Sequence, residues 1–127
     1  MRKAILFLAI IHLSSCDPEK CSSFYFQNGS EIDIELNFVE VSSEKITIAV
    51  SNKVPFGNTS CDIGGPPILY LGIYDSIYIT NTSNEILKVY KEDTPGKNIY
   101  NVDRYWNARE TKNHTEYTYI ITQEDIE

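Results

Sequence analysis

The chain has 127 residues, 42% of them hydrophobic and 23% charged, which is one domain's worth of sequence with enough apolar material for a core. Its formal charge of −7 excludes the basic footprint of a nucleic-acid binder and disfavours electrostatic docking on anionic lipid. Hydrophobic content is too high for a disordered acidic tail, and 6 Gly and 5 Pro are too few for low complexity.

At the N-terminus Met1-Arg2-Lys3 supplies two positive charges. Ala4 to Leu13 (AILFLAIIHL) is an apolar run broken only by His12, and Ser14 and Ser15 precede Cys16. A charged start, a short apolar stretch and small residues before a cleavage point mark a secretory signal peptide. The run is about half the roughly 20 residues needed to cross a bilayer, so it reads as a removable leader and not as a lasting transmembrane helix. Loss of Arg2 and Lys3 with the leader leaves 9 basic residues against 18 acidic ones.

Leu13-Ser14-Ser15-Cys16 resembles the lipobox of bacterial lipoproteins in order, spacing and distance from Met1. The resemblance covers the leader alone. It implies cleavage after Ser15, a diacylglyceryl thioether on the Cys16 sulfur, and a further acyl group such as palmitate on the freed amine. It also implies a place in the bacterial cell envelope, exported from the cytoplasm and held to a membrane through the lipid on Cys16. Each buried CH₂ contributes about 0.8 kcal/mol, so two or three chains anchor stably where one is marginal. The chain then divides into a signal peptide (1–15), a lipidated cysteine with a short tether (16–20), a folded domain (21–122) and an acidic tail (123–127) expected to be loose. Fully extended, Asp17-Pro18-Glu19-Lys20 spans at most about 14 Å, which holds the domain at the membrane surface.

With Cys16 lipidated, Cys21 and Cys61 remain, and outside the cytoplasm such a pair tends to oxidise. A bridge closing a loop of about forty residues adds on the order of 4 kcal/mol and pins the start of the domain near the anchor. Two free buried thiols are the alternative. No cysteine or histidine spacing fits zinc.

From Cys21 onward the apolar period is two. In Glu31 to Phe38 the residues Ile32, Ile34, Leu36 and Phe38 take one face, and Glu31, Asp33, Glu35 and Asn37 the other. Val39 and Val41 fall on the opposite parity, which predicts a bulge or a change of sheet near Val39. Ser42-Ser43-Glu44 reads as a tight connection to a strand at Lys45 to Ser51, with Ile46, Ile48 and Val50 aligned. Asn52 to Pro67 reads as a long irregular stretch held in order by the bridge at Cys61. Ile68 to Asp75 (ILYLGIYD) is apolar on both parities, as a strand covered on both faces would be. Ser76 to Asn81 and Glu85 to Lys91 flank Thr82-Ser83-Asn84 as a hairpin. Pro95-Gly96 has the residues of a type II turn. Arg104 to Glu110 and Glu116 to Thr122 flank the polar turn TKNHT as a second hairpin, with a short helix as the alternative from Val102. The sum is all-β: a single antiparallel β-sandwich, Ig-like, of about seven or eight short strands.

Chemistry is sparse. After the leader the one histidine is His114, in a polar turn. There is no GxSxG, Gly-rich phosphate loop or HExxH. The EIDIE face bears three carboxylates, but alternate strand residues lie about 6–7 Å apart, too far for a compact Ca²⁺ cage without added ligands, so it reads as a wet face. No catalytic residue, metal or cofactor is expected. Arg104, Tyr105, Trp106 and Arg109 form a candidate binding patch for a protein or glycan, although the sole tryptophan of a small sandwich equally suits its core. Sequons begin at Asn28, Asn58, Asn81 and Asn113, all in predicted turns. The expected role is a non-catalytic binding or accessory module of the envelope. The alternatives are a small carboxylate-dependent hydrolase and a eukaryotic secreted glycoprotein whose leader mimics a lipobox.

Overall fold

The computed structural model of the protein describes residues 17–40 and 43–127. The expected leader, the expected lipidation at Cys16, Val41 of the bulge predicted near Val39, and Ser42 of the predicted connection lie outside the described residues.

Strand β1 (Lys20–Gly29) opens the domain, and its alternate residues Ser22, Phe24, Phe26 and Asn28 are buried. The period-two pattern at Glu31 to Phe38 forms β2 (Ile34–Val39), with Ile34, Leu36 and Phe38 inward, while Ile32 remains exposed in the preceding turn. Next come β3 (Glu44–Ile48) and β4 (Lys53–Asp62). The predicted hairpin follows as β5 (Ser76–Asn81) and β6 (Ile86–Tyr90). Its turn holds Asn84 at φ 62, a left-handed position that asparagine tolerates. Gly96 at φ 80 matches the third residue of the type II turn expected at Pro95-Gly96. A single helical turn, α1 (Val102–Tyr105), precedes the second hairpin, β7 (Asn107–Glu110) and β8 (His114–Thr122). A last turn, α2 (Gln123–Ile126), follows.

The strands form two four-stranded sheets, ordered β4-β1-β8-β7 and β3-β2-β5-β6. Their inner faces meet in one core, giving a sandwich-like architecture. Phe26 of β1 lies 5.9 Å from Phe38 of β2, Phe38 stacks on Phe56 of β4 at 5.0 Å, and Tyr90 of β6 meets Tyr119 of β8 at 6.3 Å. One pairing departs from the antiparallel expectation: β1 and β8, first and last strands, run parallel at the centre of their sheet.

Three segments differ from the sequence reading. Asn52 to Pro67 is largely strand, because β4 is an edge strand held by its backbone ladder to β1 and shows few inward apolar residues, Val54 and Phe56. An edge tolerates Pro55, and Gly57 at φ 68 sits where the register slips between Ser22 and Phe24. Ile68 to Asp75 is an irregular loop. Only Leu71 is buried, and the Tyr70 ring folds over Gly72, occupying the space a Cβ there would need. The tail is docked: Ile126 is buried, Thr122 and Asp125 form a capping box, and Asp125 also pairs with Lys97.

Candidate functional site: the tether end of the sandwich

The register fixes what gathers at one end of the first sheet. Lys20 pairs with Asp62, Cys21 with both Cys61 and His114, and Glu110 with Thr115. The tether, the exit of β4 and the β7–β8 turn therefore share this end. Cys21 and Cys61 are disulfide-bonded, directly opposite each other on adjacent strands. The bridge pins the loop that follows β4 to the start of β1. That loop, residues 63–75, crosses to the second sheet, where the Asp75 amide donates to the Val39 carbonyl at 2.9 Å.

Three hollows surround this loop. One of about 310 Å³ is lined by Asp17, Pro18 and Lys20 on the tether and by Ile63, Gly64 and Gly65. A smaller one, about 100 Å³, lies between Lys20, Pro66 and the β7–β8 turn. The third, about 320 Å³, opens between Ile68-Leu69 and the segment after β6, where Glu92, Tyr100, Asn101, Val102 and Asp103 face it.

The walls of the third hollow are set by local hydrogen bonding. Asn98 is buried, its amide donating to the carbonyls of Lys91 (2.8 Å) and Thr94 (3.0 Å) while its Oδ1 accepts from the Tyr100 amide. The Tyr100 hydroxyl donates to the Tyr74 carbonyl at 3.1 Å and so ties the two loops together. Burial, with the charges of Asp75 and Glu92 adding to it, pushes the Tyr100 hydroxyl up to about 12, so it stays a donor at neutral pH. Apolar surface from Leu69, Tyr100 and Val102 thus lies beside two exposed carboxylates, Glu92 and Asp103. Neither carboxylate was singled out by sequence. They are brought together only by the path of the loop, and no motif marks them.

The predicted patch does not assemble as one surface. Trp106 is buried, its Nε1 donating to the Ile99 carbonyl at 2.8 Å and its ring tilted on Phe26 at 5.1 Å. Arg104 is exposed and lies 5.2 Å from the half-buried Tyr105 ring, while Arg109 is exposed on β7 opposite Glu116. His114 opens β8, half-buried, and its carbonyl accepts from the Thr111 amide.

The EIDIE carboxylates have separate uses. Asp33 accepts from the Val50 amide at 2.9 Å, and Glu35 accepts from Lys45 at 2.9 Å. The hydrogen bond from Lys45 holds the Glu35 carboxyl below its ordinary range, as Lys53 does for Glu116. Among the described residues no three His, Cys, Asp or Glu side chains converge as a metal site. Of the sequons, Asn58 and Asn113 are exposed and Asn81 folds its side chain onto the amides of Ser83 and Glu85. Asn28 lies inside β1 and not in a turn: it is fully buried and its amide is taken by the Ile32 and Ile48 carbonyls.

Compared with protein-family models, curated proteins and solved structures, the chain matches none.

Proposed function

We propose that this protein is a lipid-anchored lipoprotein of the bacterial envelope that works there as a non-catalytic binding or accessory module. Anchoring rests on the lipobox resemblance at Leu13 to Cys16 and on the three residues that separate Cys16 from β1. Ig-like describes the packing of two sheets in this reading; the strand order is distinct from the ABED over CFG order of immunoglobulin domains.

The observation that carries the binding role is the hollow of about 320 Å³ in which Ile68, Leu69 and Tyr100 lie beside Glu92 and Asp103. It suits a protein partner that presents an aliphatic side chain next to a basic one. The aliphatic group gains about 25 cal/mol per Å² buried, and the carboxylates select the cation. Two experiments test the two halves. Metabolic labelling with a clickable fatty acid is expected to mark the wild type and not Cys16→Ala; an unlabelled wild type refutes the anchor. Capture from envelope extract is expected to retain one partner on the wild type and lose it from Asp103→Lys and Glu92→Lys. Equal recovery on all three removes the hollow as the binding site.

One observation favours the hydrolase reading: Glu92 and Asp103 face the same hollow. Hydrolysis of a glycan by the purified protein, abolished in both Glu92→Gln and Asp103→Asn, would establish it.

A further inference from the structure

We propose that the loop after β4 is a second membrane contact, seating Ile63, Ile68, Tyr70 and Ile73 in the lipid interface beside the anchor. The inference rests on the lipid-anchored reading above and deepens it by fixing how the domain stands on the bilayer. These four side chains are 66%, 77%, 67% and 56% exposed, in one loop that buries Leu71 in the core and packs Leu69 and Tyr74 against it. Four large, mainly apolar side chains exposed together in one loop invite a cover.

What covers them follows from where the proposed anchor joins the domain. Asp17 is the neighbour of Cys16, and Asp17 and Pro18 line one hollow with Ile63, Gly64 and Gly65. The loop cannot swing away from the tether, because Cys61, two residues before Ile63, is bonded to Cys21, and Lys20 pairs with Asp62. A tether of at most about 14 Å then keeps the loop at the depth of the acylated cysteine's headgroup. The composition suits that depth: isoleucine enters the acyl boundary, tyrosine favours the interface, and the exposed Lys20 and Lys112 at the same end reach toward phosphates.

Asp17, Glu19, Asp62 and Glu110 also lie at this end, so attraction to anionic lipid is weak. The loop therefore orients a domain already held by its lipid and does not recruit one from solution. Contact through apolar side chains also predicts insensitivity to salt.

The test uses the full lipidated protein reconstituted in phosphatidylcholine/phosphatidylglycerol vesicles carrying bromine on the acyl chains. Tryptophan is introduced singly as Ile63→Trp, Tyr70→Trp and, as a control at the far end of β6, Ile86→Trp, each over the constant background of buried Trp106. Ile63→Trp and Tyr70→Trp are expected to emit further to the blue and to be quenched several-fold more than Ile86→Trp, at low and high salt alike. Equal quenching at all three positions, in protein whose Cys16 carries acyl mass, overturns the loop contact and leaves the anchor standing. Absence of acyl mass on Cys16 overturns the anchor, and the contact with it.

Discussion

Asn28 begins a triplet that reads as a glycosylation acceptor, and the fold spends it on holding two turns. Its amide donates to the carbonyls of Ile32 (2.8 Å) and Ile48 (2.9 Å), and its Oδ1 accepts from the amide and hydroxyl of Ser30. Asn28→Ala removes these four hydrogen bonds, leaving only the Ser30 hydroxyl on the Ile32 carbonyl, an expected loss of about 1–3 kcal/mol, read as a lower urea midpoint at unchanged slope. A second residue-scale effect belongs to Tyr90 and Tyr119, whose hydroxyls meet in the core at 3.4 Å. Burial raises both, Tyr90 to about 12. The unfolded chain releases these protons near pH 10, so above that pH the folded state holds more protons than the unfolded one. Stability is complete below about pH 10 and falls as pH rises past it. Melting temperature is expected to drop between about pH 10 and 12, and less steeply in Tyr119→Phe, which lacks one of the two hydroxyls.

Elements differed in how far sequence revealed them. Where one face is buried and the other wet, alternation locates the strand, as in β2 and the β5–β6 hairpin. β4 escapes that logic because its order comes from main-chain bonds to β1, and Pro55, Gly57 and polar side chains are what an edge admits. Ile68 to Asp75 fails in the opposite sense: Leu71 is buried and Leu69 and Tyr74 pack on the core, but Ile68, Tyr70 and Ile73 face water, so hydrophobicity on both parities marks a half-exposed loop and not double coverage. Among candidate site residues, the Cys21–Cys61 pair was legible once the lipobox resemblance had set Cys16 aside, whereas Glu92 and Asp103 depend on tertiary path. Two element-scale outcomes follow. Cys21→Ser and Cys61→Ser are expected to destabilise equally, by up to about 4 kcal/mol, with the double variant no worse in a thermal melt; additive losses contradict a shared bond. Ile126→Ala is expected to cost about 2 kcal/mol, since α2 is fastened by that side chain, its capping box and the Lys97–Asp125 pair; a change near zero would mean the last turn contributes nothing.

On the scale of the whole molecule, the two ends of the sandwich are unlike. Tight turns and the Asn28 network close one end. The other gathers the tether, the bridge, the long apolar loop and the hollow beside Glu92 and Asp103. On the lipid-anchored reading proposed above, such polarity would give the domain a fixed stance, with the hollow beside the loop proposed to meet the membrane. The parallel pairing of β1 with β8 has a further consequence for biogenesis. Cys21 is in register with His114, and Gly29 with Thr122, so the central strand made first waits for a neighbour made last. Until β8 is available, one complete backbone edge of β1 is unsatisfied, and the unfinished fold needs shielding from its own kind.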